Sequence, residues 1–291
     1  MKIKKDFYDL ALAQVAELKT VKPELKEILD FYEPTLKAQR HVKLSFQPDL
    51  SEFDIKLCHK RNSKGLPFLR LKDIQIDQDL FNGLFEDIVQ IIRSKRKEAI
   101  PVTINDFPSD KKCVLLLRGL MKNNTILEKL SCEMGIDFSI FYFLITQAFS
   151  PFFESYSQKL SEFVDSNSWH RGACPICGNE PLIARLEKKT GKKWLFCSLC
   201  HCEWLFRRLA CAFCGNKDQD SLHYFYVESA ETYRVDICDK CKRYIKTVDA
   251  RKIEHVKNLF VENLATLALD IVANKEGFLG GNISLFRIKE I

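Results

Sequence analysis

Apolar residues recur at roughly helical spacing near the start of the chain, at Leu10, Leu12, Val15 and Leu18, and Pro23 is placed to open a second helical segment reaching about Arg40. More loop signals follow, including Asn62-Ser-Lys-Gly-Leu-Pro67. A clearer amphipathic helix is predicted over Asp79 to Lys97, where Leu80, Leu84, Phe85, Ile88, Ile91 and Ile92 form one stripe, acidic residues come early and basic ones late. Helical runs over Cys113 to Lys122 and Ile126 to Met134 precede a long apolar helix from Phe138 to Val164, with Pro151 a candidate bend.

Helical periodicity stops at the polar linker Asp165-Ser-Asn-Ser168 and gives way to cysteine pairs, aromatic residues and paired charges. It returns after about Arg251, where Leu259, Phe260, Leu264, Leu267, Ala268, Ile271 and Val272 share a face and Gly277 lies beyond the end. That face is expected to pack on the helical domain. These patterns predict an α+β chain: an all-helical domain over 1–167, a tandem four-cysteine region over 168–255, and a C-terminal helix and tail over 256–291. The cysteine region divides into a first unit at about 170–205 and a second at about 206–255.

Composition sharpens this picture. The 291 residues are 46% hydrophobic, enough for a sizeable core, and include 12 cysteines. Cys58, Cys113 and Cys132 are scattered and read as small buried side chains, whereas nine fall between Cys174 and Cys241. A secreted disulfide scaffold is expected to be short and to open on a signal sequence; here Asp9, Gln14, Glu17 and Lys19 interrupt the first apolar stretch. The longest charge-free stretch, Phe138 to Phe153, has 16 residues, short of the roughly 20 needed to cross a bilayer. A soluble protein of a reducing compartment is therefore expected, and no membrane span.

The candidate chemistry lies in four C-x2-C pairs: Cys174-Pro-Ile-Cys177, Cys197-Ser-Leu-Cys200, Cys211-Ala-Phe-Cys214 and Cys238-Asp-Lys-Cys241. A two-residue gap lets both thiolates of a tight turn face one ion, and a hairpin of 19 residues between the first two pairs, or 23 between the last two, brings the second turn alongside. Two tetrahedral sites follow, rubredoxin-like or zinc-ribbon-like. Gly178 and Gly215 follow their knuckles, where positive φ folds the backbone round the sulfurs. Gly191 marks a hairpin tip and Trp194 to Phe196 a returning strand. Zinc and iron both suit four sulfurs, and ligand type does not separate them.

Cys202 is a ninth cysteine beside the second pair and is read as a packed side chain, as is Trp204. His41 and His59 stand alone, and no catalytic constellation is evident, so no enzyme is expected. The formal charge is +6. Eight thiolates outweigh two divalent ions by four charges and lower it to about +2. This weakens the reading as a nucleic-acid-binding double zinc ribbon; rubredoxin-like electron transfer is a further alternative.

The run Cys174-Pro-Ile-Cys-Gly-Asn-Glu-Pro181, then Trp194-Leu-Phe-Cys-Ser-Leu-Cys-His-Cys-Glu-Trp204, then Arg208-Leu-Ala-Cys-Ala-Phe-Cys-Gly215 resembles the FdhE family, formate dehydrogenase accessory proteins. Cys238-Asp-Lys-Cys-Lys-Arg-Tyr-Ile-Lys246 and Asn263-Leu-Ala-Thr-Leu-Ala-Leu-Asp270 continue the resemblance in order, over roughly residues 170 to 282. It implies a cytoplasmic, non-enzymatic protein that binds iron through these cysteines and the catalytic subunit of a respiratory formate dehydrogenase during maturation. The sequence departs from the family pattern at Asp236, Glu262-Asn263 and Asn282-Ile283, none of them a cysteine.

Overall fold

A computed structural model describes residues 6–51, 53–101, 104, 110–122, 124–165, 168–226, 231–253 and 256–280. Helices α1 (Phe7–Val21), α2 (Lys26–Ser45), α3 (Ile55–Ser63), α4 (Gln78–Lys95), α5 (Asp110–Lys122), α6 (Thr125–Glu133) and α7 (Phe138–Leu160) form the first layer. Asp6, Asp54, Asp77 and Asp137 each cap a helix by accepting a backbone N–H of its first turn. The stripe predicted for α4 is the buried one: Phe81, Leu84, Phe85, Ile88, Val89 and Ile92 face inward.

Helix α7 is the axis of the layer and runs straight through Pro151 in sequence. Proline has no N–H for the carbonyl four residues back, and the Gln147 carbonyl instead accepts from the Gln39 side chain of α2 at 2.9 Å. The orphaned acceptor thus becomes a tie between helices. No single described helix is long and apolar enough to cross a membrane; α6 and α7 pass by length and composition only as a pair bent by 114°. Two expectations are corrected. Residues 55–63 are helical, with only Cys58 and Asn62 buried and hence no apolar stripe to announce them. Cys132 is exposed, whereas Cys58 and Cys113 are buried.

One mixed sheet follows, of β1 (Pro181–Leu186), β2 (Lys193–Cys197), β3 (Glu203–Phe206), β4 (Leu222–Tyr226), β5 (Tyr233–Cys238), β6 (Arg243–Asp249) and β7 (Leu279–Gly280). Its order is β3-β2-β1-β6-β5-β4, with β7 also on β6. Each cysteine unit is an antiparallel three-stranded meander. A short parallel ladder joins them, Ala184 opposite Thr247 through Leu186 opposite Asp249. The β1–β2 hairpin turns at Gly191, with φ +65°.

The apolar face near the C-terminus is two helices, α8 (Leu259–Ala265) and α9 (Leu267–Lys275), and not one. At the break the buried Lys246 ammonium donates to the carbonyls of Asn263 at 2.7 Å and Thr266 at 3.4 Å, and to Asp270 at 2.6 Å. Asn263 lies in the last turn of α8 and Thr266 caps it, so a β6 cation set on their carbonyls stabilises the interruption. Helix α8 buries Leu259, Phe260, Val261 and Leu264 against α1 and β1, while α9 buries Leu269 and Ala273 against β6 and β7. The expected packing on the helical domain therefore holds for α8, which also touches the sheet, and not for α9.

Candidate metal centres

All four knuckles share one backbone device. The residue after the second cysteine lies at positive φ: Gly178 at +83°, His201 at +58°, Gly215 at +71° and Lys242 at +52°. Gly178, Gly215 and Lys242 each donate N–H back to the carbonyl of the first cysteine, at 3.0, 3.0 and 2.9 Å. The turn aims further N–H groups at sulfur: Leu199 and Cys200 approach Cys197 Sγ at 3.4 and 3.5 Å, and Phe213 approaches Cys211 Sγ at 3.4 Å. In the second unit the Asn216 amide adds a side-chain donor to Cys238 Sγ at 3.7 Å.

The sequence-predicted cysteines converge as two groups, Cys174, Cys177, Cys197 and Cys200, and Cys211, Cys214, Cys238 and Cys241, with all sulfurs of a group within 4.8 Å of one another. Cys174 meets Cys200 at 3.5 Å and Cys177 meets Cys197 at 3.4 Å; Cys211 meets Cys241 at 3.6 Å and Cys214 meets Cys238 at 3.7 Å. A tetrahedron with metal–sulfur bonds of about 2.3 Å has sulfur–sulfur edges of about 3.8 Å, whereas a disulfide needs about 2.05 Å. The residues present fit a four-thiolate metal ion, and each group could hold one.

Proton loss from the two groups is uneven. Burial opposes ionisation of Cys238, but N–H groups of Cys241 and Lys240 and the Asn216 amide overcome it and bring that thiol down to about 7. Burial pushes Cys211 and Cys241 up, aided at Cys241 by the neighbouring thiols. In the first group burial likewise pushes Cys177 and Cys200 up. Metal uptake must therefore displace protons, and acid opposes it.

The surroundings of the two centres differ. Every sulfur-bearing residue of the first is buried, and the loop before the short helical turn Leu71–Asp73 pairs with its first knuckle: Phe68 N–H donates to Pro175 O at 2.8 Å and Leu69 N–H to Ile176 O at 2.9 Å. From the other side Ser150 of α7 donates to Leu199 O at 2.9 Å. His201, which sequence reasoning passed over, stacks on Phe7 at 4.0 Å and Phe196 at 5.5 Å, and burial pushes its imidazole down to about 3. Its signal was positional, since the glycines of two other knuckles occupy the equivalent place. In the second centre Cys214 is exposed and Cys241 half-buried.

Cys202 is buried near Cys174 but outside the four-sulfur group; its carbonyl accepts from Cys197 N–H at 2.9 Å and its thiol donates to Glu203 O at 3.5 Å. Trp204 is fully buried, its indole N–H on Arg171 O at 3.0 Å. Between α1, α7 and the first unit lies a cleft of about 730 Å³ lined in part by Phe7, Glu154, Cys200, His201 and Cys202. Burial pushes the Glu154 carboxyl up to about 7 although Lys43 lies 3.2 Å away. The two units are locked by Arg243, which forks onto Glu180 at 2.7 and 2.5 Å and lies 3.8 Å from the Phe213 ring centre.

Two family descriptions match this part of the chain end to end: "FdhE, central domain" over residues 173–208 and "FdhE, C-terminal domain" over 209–286. Residues 173–286 are similar to the FdhE family. The junction between the two FdhE domains falls between β3 and the third knuckle, where the two meanders part. An FdhE homolog of Aquifex aeolicus is 29% identical over 277 residues, covering 93% of this chain and 92% of the relative. FdhE homologs of Haemophilus ducreyi, 29% identical, and Shewanella oneidensis, 33% identical, match over 53% and 36% of this chain and 50% and 35% of their own lengths. The crystal structure of the FdhE protein from Pseudomonas aeruginosa superposes with a TM-score of 0.64 at 18% identity, covering 95% of this chain and 93% of that one. The fold is thus shared beyond the cysteine region.

Proposed function

We propose that the chain is an accessory protein for maturation of a respiratory formate dehydrogenase, binding the enzyme's catalytic subunit in the cytoplasm as a chaperone and catalysing no reaction itself. The observation that carries this reading is the end-to-end match of both FdhE domains over residues 173–286, with eight cysteines gathered into two groups. Cys174, Cys177, Cys197 and Cys200 hold one ion in this reading, and Cys211, Cys214, Cys238 and Cys241 the other. Iron is implied by the family and zinc is chemically equivalent for the donor set. Copurification with a tagged catalytic subunit under reducing, anaerobic conditions tests it: association supports the reading and its absence contradicts it. Deleting the gene is expected to lower formate dehydrogenase activity while leaving the catalytic polypeptide present.

A second reading, electron transfer through rubredoxin-type iron, is favoured by the exposure of Cys214. It requires a reversible redox couple from the purified protein. Colourless, zinc-loaded protein contradicts it.

A further inference from the structure

Glu180 and Arg243 do more than join the two units, because between them they reach every knuckle. Glu180 follows Asn179, whose carbonyl accepts the Cys174 N–H at 2.8 Å and closes the first knuckle. The Glu180 carbonyl takes up the second knuckle, accepting from the Ser198 N–H at 3.2 Å and from the Ser198 hydroxyl at 2.8 Å. Its carboxylate points to the other unit and receives both arms of the Arg243 guanidinium.

Arg243 is held as firmly on its own side. It stands opposite Cys238 in the β5–β6 ladder and opposite Leu279 of β7. Its N–H bears on the Cys241 thiol of the fourth knuckle. Its guanidinium covers the ring of Phe213, whose own N–H approaches Cys211 Sγ in the third. Neither charged residue is a ligand, yet each is one short step from sulfurs of its own unit. An ion pair held at one point near the surface contributes little, since its side chains lose freedom and water screens the charges. These side chains are 42% and 24% exposed, but two parallel hydrogen bonds and a ring contact fix them in a single geometry.

We propose that Glu180 and Arg243 are positioning residues through which the first unit braces the second centre. With the first two knuckles in place, Glu180 holds Arg243, and Arg243 holds the third and fourth knuckles in the arrangement that grips an ion. The link rests on the reading of one ion per group and deepens it by making the hold of one site depend on the unit that carries the other.

Chelator competition against the two-metal protein reads this, the ion of the second centre being the one that Cys214→Ser lacks. Glu180→Gln and Arg243→Lys are each expected to weaken that ion's binding about fivefold, the lysine keeping the charge but losing the fork and the ring contact. The first ion stays bound in both variants and the chain still melts cooperatively. The double variant is expected to bind no more weakly than either single one, because each removes the same shared interaction. Glu203→Gln removes a first-unit carboxylate paired with Arg185 instead, and as the charge control it should leave the affinity unchanged. Unchanged affinity in Glu180→Gln and Arg243→Lys overturns the link, and so do additive losses in the double variant or an equal loss in Glu203→Gln. Release of the first ion by either single variant also overturns it, assigning the pair to general stability. Fewer than two equivalents on wild type contradict the two-ion reading itself, whereas two equivalents with unaltered variants contradict the link alone.

Discussion

The two centres share knuckle geometry and differ in everything around it. Cys174, Cys177, Cys197 and Cys200 belong to the same apolar cluster as Tyr8 of α1, Phe85 of α4 and Phe149 of α7, so the first centre sits inside the main core. None of the second centre's cysteines joins an apolar cluster; its meander contributes Val235 and Tyr244 to a small separate one with Leu269, Ala273 and Phe278. A pair of two-cysteine turns is thus a local device that serves equally as a keystone or at a more exposed position. Its neighbours decide which.

The largest effect that could break this contrast is loss of a ligand. Cys174→Ser or Cys200→Ser is expected to remove one metal equivalent and the cooperative melting of the whole chain, because structural sites of this kind hold about 10–16 kcal/mol of apparent binding energy, comparable with a domain's entire stability of about 5–15 kcal/mol. Cys214→Ser should remove one equivalent and spare the helical layer. Metal analysis with near-ultraviolet circular dichroism reads both; collapse of both variants alike would erase the contrast.

A smaller effect follows from Glu154 beside the first centre. Its carboxyl is pushed from 4.5 to about 7 by burial. The folded state keeps the proton across this window and the unfolded state releases it, so the contribution to stability is present below about pH 4.5 and is lost as pH rises to about 7. Glu154→Gln should flatten that dependence, on the order of 2–3 kcal/mol at most. Denaturant titrations at pH 5 and pH 8 measure it, and an unchanged slope would contradict the assignment.

The smallest sharpens the knuckle comparison directly. Gly178 and Gly215 have positive φ, but a Cβ on Gly178 would come 3.1 Å from Pro67 Cγ, whereas at Gly215 nothing lies within 4 Å. Gly178→Ala should cost about 1–2 kcal/mol and Gly215→Ala about 1 kcal/mol, read from paired thermal melts. Equal losses would show that the helical layer does not press on the first knuckle.

The spacing of the four pairs was enough to group Cys174 with Cys177, Cys197 and Cys200, and Cys211 with Cys214, Cys238 and Cys241, because knuckle and hairpin are short-range structures. The α+β layout and the turns at Gly178, Gly191 and Gly215 were legible for the same reason. The ladder joining β1 to β6 was not, since its partners lie some sixty residues apart in sequence. Nor was the break at Thr266, which depends on Lys246 arriving from β6, nor the stacking of His201 on Phe7 from the far end of the chain. Full burial of one centre and partial exposure of the other arise from the same long-range packing.

Release of metal from the loaded native protein to a chromophoric chelator tests the non-equivalence of the centres most directly. Two phases of one equivalent each are expected, the fast one abolished by Cys214→Ser and the slow one matching the rate of global unfolding. A single phase releasing both equivalents together would contradict it.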